Sequence, residues 1–173
     1  MPSTAFVKRC IVTGMANPEH VAILAKGVEA WNQWRANNGN VVPDLSEARL
    51  AEKQLEGVNL SNADVSFADF RISDLRHANL RDMNVFRADF GEAKLIACDL
   101  VNANAVGARF SEADLRRANL TQAKLSEARL RNADLREAIL LNADLHDAYM
   151  LQADFDEANL NATDVRLGHN GLV

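Results

Sequence analysis

Ala113–Leu140 reads ADLRR ANLTQ AKLSE ARLRN ADLRE AIL. Alanine opens every group of five, and leucine stands two places after it. The same beat runs outward in both directions, from Pro43 to Leu167, without a slip. Taking the centre of each unit at a multiple of five, 25 centres run from Leu45 to Val165. Sixteen are Leu, four are Phe (Phe70, Phe90, Phe110, Phe155) and three are Val, with Met150 and Ala105 completing the set. Ala occupies the position two before the centre in 18 of the 25 units, unbroken from Ala103 to Ala158.

A period of five excludes the regular elements. In an α-helix five residues turn through about 500°, which smears the apolar set around the axis. In a straight strand an odd period throws the set from face to face. The small residue and the centre are two apart, so in extended backbone they point the same way. The other three residues then turn a corner. Each unit is a short side plus a turn, and the units wind around one inner core. Twenty residues separate Phe70, Phe90 and Phe110. The same spacing relates Val65, Val85 and Ala105, and also Asn59, Asn79, Asp99 and Asn119. Independent columns with one period predict a four-sided coil.

The core therefore holds Phe70, Phe90, Phe110, Leu115 and Leu135. A buried Leu contributes roughly 1.5–3 kcal/mol relative to exposure. Met83 at a small site faces Val85 at its centre, a volume compensation, and Cys98 reads as a small hydrophobe. Lys53, at a small site of the first coil, is expected to snorkel under whatever caps it.

Upstream, Ala5–Thr13 has the composition of a short strand. Asn17-Pro18-Glu19 is a helix start: a capping side chain, a first-turn proline and an acid near the helix dipole. Val21, Leu24, Val28 and Trp31 keep helical spacing, so one helix over 18–37 is expected, with Gly39 as its left-handed terminator. Trp31 and Trp34 are the only tryptophans. They are expected to anchor the helix on the first coil, the alternative being a stacking platform for a ligand. Downstream, Leu172 and Val173 either fold across the last coil or leave an edge open to end-to-end pairing.

The units resemble the pentapeptide-repeat proteins, whose signature is A-(D/N)-L-x-x. Trp31-Asn32-Gln33-Trp34-Arg35, followed by Pro43-Asp44-Leu45-Ser46, is similar to the N-terminal cap of some bacterial members. The resemblance implies an all-β solenoid, a right-handed quadrilateral parallel β-helix of about six coils and about 30 Å height, with an N-terminal α-helical cap. The expected division is 1–42 for the extension and cap, 43–167 for the β-helix and 168–173 for the tail.

The surface follows from the same sorting. One side gathers Asn59, Asn62, Asn79, Asn102, Asn119, Asn142, Asn159 and Asn161, read as a ladder of stacked amides. Another stacks Asp74, Asp114 and Asp134, each with an arginine two residues on, leaving Asp154, Asp156 and Glu157 as a local acidic end. A third carries Asp44, Glu47, Asp64, Glu127, Asp144, Asp147 and Asp164 against Arg87, Lys124 and Arg166. The remaining side, over the phenylalanines, is near neutral. Phe67 and Phe86 point outward one coil apart and form a candidate partner patch.

A net charge of −5 argues against direct nucleic-acid binding. No apolar run is long enough to span a membrane, and two distant cysteines suit a reducing, cytoplasmic setting. No Ser/His/Asp set, phosphate loop or metal-ligand spacing stands out, so no catalytic, cofactor or metal residue is expected. The expected function is a non-catalytic structural or protein-interaction rod with a protein partner, as a monomer or an end-to-end homodimer. The alternative, by resemblance, is a DNA mimic that binds a type II topoisomerase and protects or inhibits gyrase.

Overall fold

The computed structural model describes residues 15–166. The strand expected over Ala5–Thr13 and the tail 168–173 lie outside the described residues. Parallel pairings join each unit to the one 20 residues later. The first side runs Asp44, Asp64, Asn84, Asn104, Lys124, Asp144, Asp164, and the second Arg49, Asp69, Asp89, Arg109, Arg129, Tyr149. The third runs Gln54, Asp74, Lys94, Asp114, Asp134, Asp154, and the fourth Asn59, Asn79, Asp99, Asn119, Ile139, Asn159. The array is thus a four-sided parallel coil in the expected register.

One unit shows why the sequence winds this way. Asp114 N–H donates to Ala93 O of one neighbouring coil at 3.0 Å, and Leu115 N–H to Asp134 O of the other at 2.7 Å. Arg116 N–H donates back to the Asp114 carboxylate at 3.3 Å. Arg117 N–H reaches Arg136 O, and Ala118 N–H closes the turn on Leu115 O, both at 3.0 Å. Every amide of the unit has a partner, as buried or half-buried backbone requires. The turn carries positive φ at its third residue, 58° at Arg117, the mark of a type II turn. That position recurs at each corner, and only Gly57 and Gly107 fill it with glycine. The remaining corners hold L residues in a region that costs roughly 1–2 kcal/mol each. The interior offsets this strain.

That interior is dry. Centres from Leu45 to Leu145 are buried, as are Met83, Ala103, Ala105 and Cys98. Phe70, Phe90 and Phe110 stack face to face, with centroids 4.9 and 5.2 Å apart and rings within 7° of parallel.

The helical segment differs from the single helix expected. It forms α1, Pro18–Leu24, and α2, Val28–Asn37. Asn17 caps α1 through Glu19 N–H. Gly27, at φ 108°, breaks the run, a backbone turn that an L side chain rarely takes. At the far end, Asn38 closes α2 at φ −128°, its amide on Arg35 O and its side chain on Trp34 O. Gly39 is not left-handed, so it is not the terminator expected.

The two helices stand where a preceding coil would be. Trp31 Nε1 donates to Asn59 O at 2.7 Å, and Asn32 both donates to Gly57 O and accepts from Asn59 N–H. Arg35 donates to Ser61 O and Val41 O. His20 Nδ1 accepts from Asp44 N–H, which makes it a neutral acceptor at that nitrogen. Asn17 N–H donates to Asp44 O. Trp31 is 0% exposed, and Trp34 packs against both Trp31 and His20 with centroids 5.1 and 5.0 Å away. Trp31 thus bonds the first coil directly, and Trp34 packs on Trp31 from within the cap. These polar contacts fall on the first and fourth sides. The rim of the third side is left to water, so Lys53 is exposed rather than tucked under the cap.

Candidate interaction surfaces

Where Asp or Asn precedes the centre, it has a local task that the signature alone does not reveal. Its Oδ1 accepts the turn amide two residues on, as in Asp44 to Ser46, Asn59 to Ser61, Asp89 to Gly91 and Asp144 to His146. Such Asx turns explain the residue type, because a short side chain with a carbonyl oxygen is what that geometry takes. Where the turn residue is arginine, the same carboxylate also accepts its guanidinium. Asp69–Arg71, Asp74–Arg76, Asp114–Arg116 and Asp134–Arg136 close at 2.6–2.8 Å, and Asp164–Arg166 pairs likewise. The guanidinium holds the carboxyls of Asp69, Asp74 and Asp134 below the usual value, and that of Asp164 at about 2.

This corrects two expectations. Asp154 is not part of an unneutralised end: Arg136 Nε lies 3.5 Å from it, as Arg116 Nε does from Asp134. Asp156 and Glu157 are exposed. Nor is the Asn-rich fourth side a continuous ladder. Asn59, Asn79, Asn119 and Asn159 use their carbonyl oxygens on their own turns. Among the described residues, amide bonds between coils join Asn102 to Asp82 there, and Asn84 to Asp64 and Asn104 to Asn84 on the first side.

Phe67 and Phe86 meet edge to face with centroids 5.5 Å apart, and Phe67 remains 53% exposed. The Arg87 guanidinium sits 5.2 Å from the Phe86 centroid. Phe67 adopts φ 59°, a turn position that Asn or Gly fills at less cost. Leu115 and Leu135 lie in the dry core and carry no surface chemistry.

Sequence reasoning placed Asn32 and Arg35 in the cap only by resemblance, without their bonds, and did not assign His20 to it. Burial lowers the Arg35 pKa, yet its Nη atoms reach two carbonyls. Burial pushes the Cys98 thiol well up, which makes it inert as a nucleophile. Among the described residues no group of His, Cys, Asp and Glu could hold a metal ion. No described helix is long and apolar enough to cross a membrane.

Geometry of this kind defines a parallel β-solenoid assembled from five-residue units. The model of the pentapeptide repeats matches in 8 copies, over residues 44–76, 84–122 and 123–161, and the chain belongs to that family. No curated protein matches the chain. Similar solved structures include HetL, a pentapeptide repeat protein involved in heterocyst differentiation regulation from Nostoc sp. strain PCC 7120. It is 28% identical over 69% of this chain and 71% of that chain, with a TM-score of 0.42. Rfr23 from the cyanobacterium Cyanothece 51142 is 26% identical over 77% and 92%, with a TM-score of 0.34. QnrB1, a plasmid-mediated fluoroquinolone resistance protein, is 15% identical over 67% and 77%, with a TM-score of 0.34.

Proposed function

We propose that this chain is a non-catalytic protein-interaction module, a rigid rod that presents side chains to a protein partner at fixed spacing. One observation carries the reading. The Phe67–Phe86 pair is an aromatic patch on an outer corner, and Phe67 is held there at an unfavourable φ. The rod does not need it: the Phe86 position holds Ser46, Ser66, Val106 and Ser126 in other coils, and most corners are polar. Apolar surface kept at a backbone cost is the mark of a contact site.

The test is affinity capture from native lysate with the wild type and with Phe67→Asn/Phe86→Ser. Asn tolerates the positive φ, and Ser matches its column, so the melting temperature should hold while the captured partner is lost. Equal capture by both proteins would sink the reading. A single buried thiol among the described residues, Cys98, supports a reducing cytoplasmic setting. The rod acts as a monomer or as an end-to-end homodimer, which light scattering distinguishes.

The DNA-mimic alternative needs a continuous, unpaired acidic face. Pairing of Asp69, Asp74, Asp114, Asp134 and Asp164 with arginines weighs against it. Protection of gyrase in a supercoiling assay at stoichiometric protein would restore it.

A further inference from the structure

The second side contains a unit that breaks the local rule. Where Asp134 precedes Leu135 and Arg136, the unit Ala128-Arg129-Leu130-Arg131 puts a second arginine in the aspartate's place. In the regular unit that carboxylate does two things: it accepts the turn amide and it pairs with the arginine. Here both are missing. Neither Arg129 nor Arg131 has an ion-pair partner among the described residues. The neighbours repeat the fault. Arg109 lies directly below Arg129 and Tyr149 directly above it, paired backbone to backbone. Arg109 reaches only Asp89, at 3.5 Å. Along this column the turn amides of Ser111, Arg131 and Leu151 lack an Asp or Asn oxygen, as do those that follow Arg49, Gln54, Lys94, Lys124 and Ile139, but only Arg129-Leu130-Arg131 places arginine at both positions.

Stacking Arg109 on Arg129 is unfavourable, since like charges directly opposite in adjacent strands repel. The chain has net charge −5, so a general demand for positive charge does not explain it. Ser111, Arg129, Arg131 and Tyr149 line one shallow depression of about 400 Å³. It offers two guanidiniums, a hydroxyl, unpartnered amides and an aromatic ring that is 60% exposed. What this set lacks is an oxyanion where the carboxylate would have been. Guanidinium forks match the oxygens of a phosphoryl group bidentately.

We propose that the depression between Ser111, Arg129, Arg131 and Tyr149 is a binding site for a phosphate monoester. The phosphoryl oxygens take the place of the missing aspartate, and the organic portion lies against Tyr149. The reading is independent of the aromatic corner, which lies on a different edge of the rod.

Arg129→Asp tests it without endangering the fold, because it restores the regular Asp-Leu-Arg unit. The full-length chain is titrated with phenyl phosphate and inorganic phosphate by calorimetry at low ionic strength. The wild type should bind both, phenyl phosphate more tightly, with binding weakened by added salt. Arg129→Asp should keep or raise the melting temperature and weaken binding at least about tenfold. Tyr149→Leu should weaken phenyl phosphate and leave inorganic phosphate unchanged. No binding by the wild type, or equal binding by Arg129→Asp, overturns the proposal. Equal competition by acetate overturns it as well, since a simple carboxylate would then satisfy the site.

Discussion

The first and the last described coils are built from the same units and are covered differently. At the N-terminal end Leu45 and Leu60 are as buried as any mid-rod leucine, because α1 and α2 lie over them and Trp31, Asn32, Arg35 and His20 engage the exposed backbone edge. At the last described coil the equivalent centres, Leu160 and Val165, are 40% and 49% exposed. A unit of the repeat does not bury its own core. It buries the core of its neighbour, so an end needs residues that are not repeats. The first coil shows the same effect in miniature. Sides one and four, under the cap's polar contacts, hold their leucines at 0%, whereas Leu50 and Leu55 on the other two sides are slightly less covered.

The middle of the rod sets the scale for both. Leu115→Asp puts a carboxylate into a dry interior, and a loss above about 4 kcal/mol is expected, read as failure of the cooperative thermal transition. Unchanged melting would contradict the inward register on which the comparison rests.

The two coils themselves should separate cleanly. Trp31→Ala removes a fully buried ring and its bond to Asn59 O, for an expected cost of about 3–5 kcal/mol. Leu160→Ala at the last described coil should cost about 1 kcal/mol, since Leu160 is 40% exposed. Denaturant titrations of the two variants measure the gap. Equal losses would mean that both coils are covered alike.

Acid gives the smallest effect. The arginine partners hold Asp69, Asp74, Asp134 and Asp164 below the ordinary 3.8 in the folded chain. A depressed folded pKa stabilises above the ordinary value and loses that contribution as pH falls through it, down to about 2 for Asp164. These pairs are solvent-screened, so a shallow decline in melting temperature between about pH 4 and 2 is expected. Asp164→Asn, at the last described coil, should remove only part of it, seen as a flatter pH profile.

Much of the array was legible from residues alone. The inward pair at each unit, the 20-residue column of Phe70, Phe90 and Phe110, and the outward Phe67–Phe86 contact all follow from a strict period. The arginine pairing of Asp74, Asp114 and Asp134 was legible for the same reason: residues two apart across a fixed corner always meet. The cap was only half legible. Val21, Leu24, Val28 and Trp31 gave a helical stripe, but Gly27 divided it, because the backbone has to redirect for His20 and Trp31 to reach the same coil. Asn32 and Arg35 carry no periodic signal. Their role depends on which carbonyls the first coil leaves open. The Asn ladder failed for a related reason. Position placed those amides in a column, yet Asn59, Asn79, Asn119 and Asn159 bond their own turn amides.

The sequence by itself therefore determined the repeating part: period, inward and outward positions, and the column to which each residue belongs. A five-residue unit that must turn a corner allows little else. The tertiary structure alone decided what happens where the repeat is interrupted. It assigned Trp31, Asn32, Arg35 and His20 to an exposed backbone edge, brought Arg136 to Asp154, and gathered Arg129, Arg131, Ser111 and Tyr149 into one depression. Those outcomes depend on distances between coils and on hydrogen-bonding groups left over, which a pattern of residue types does not contain.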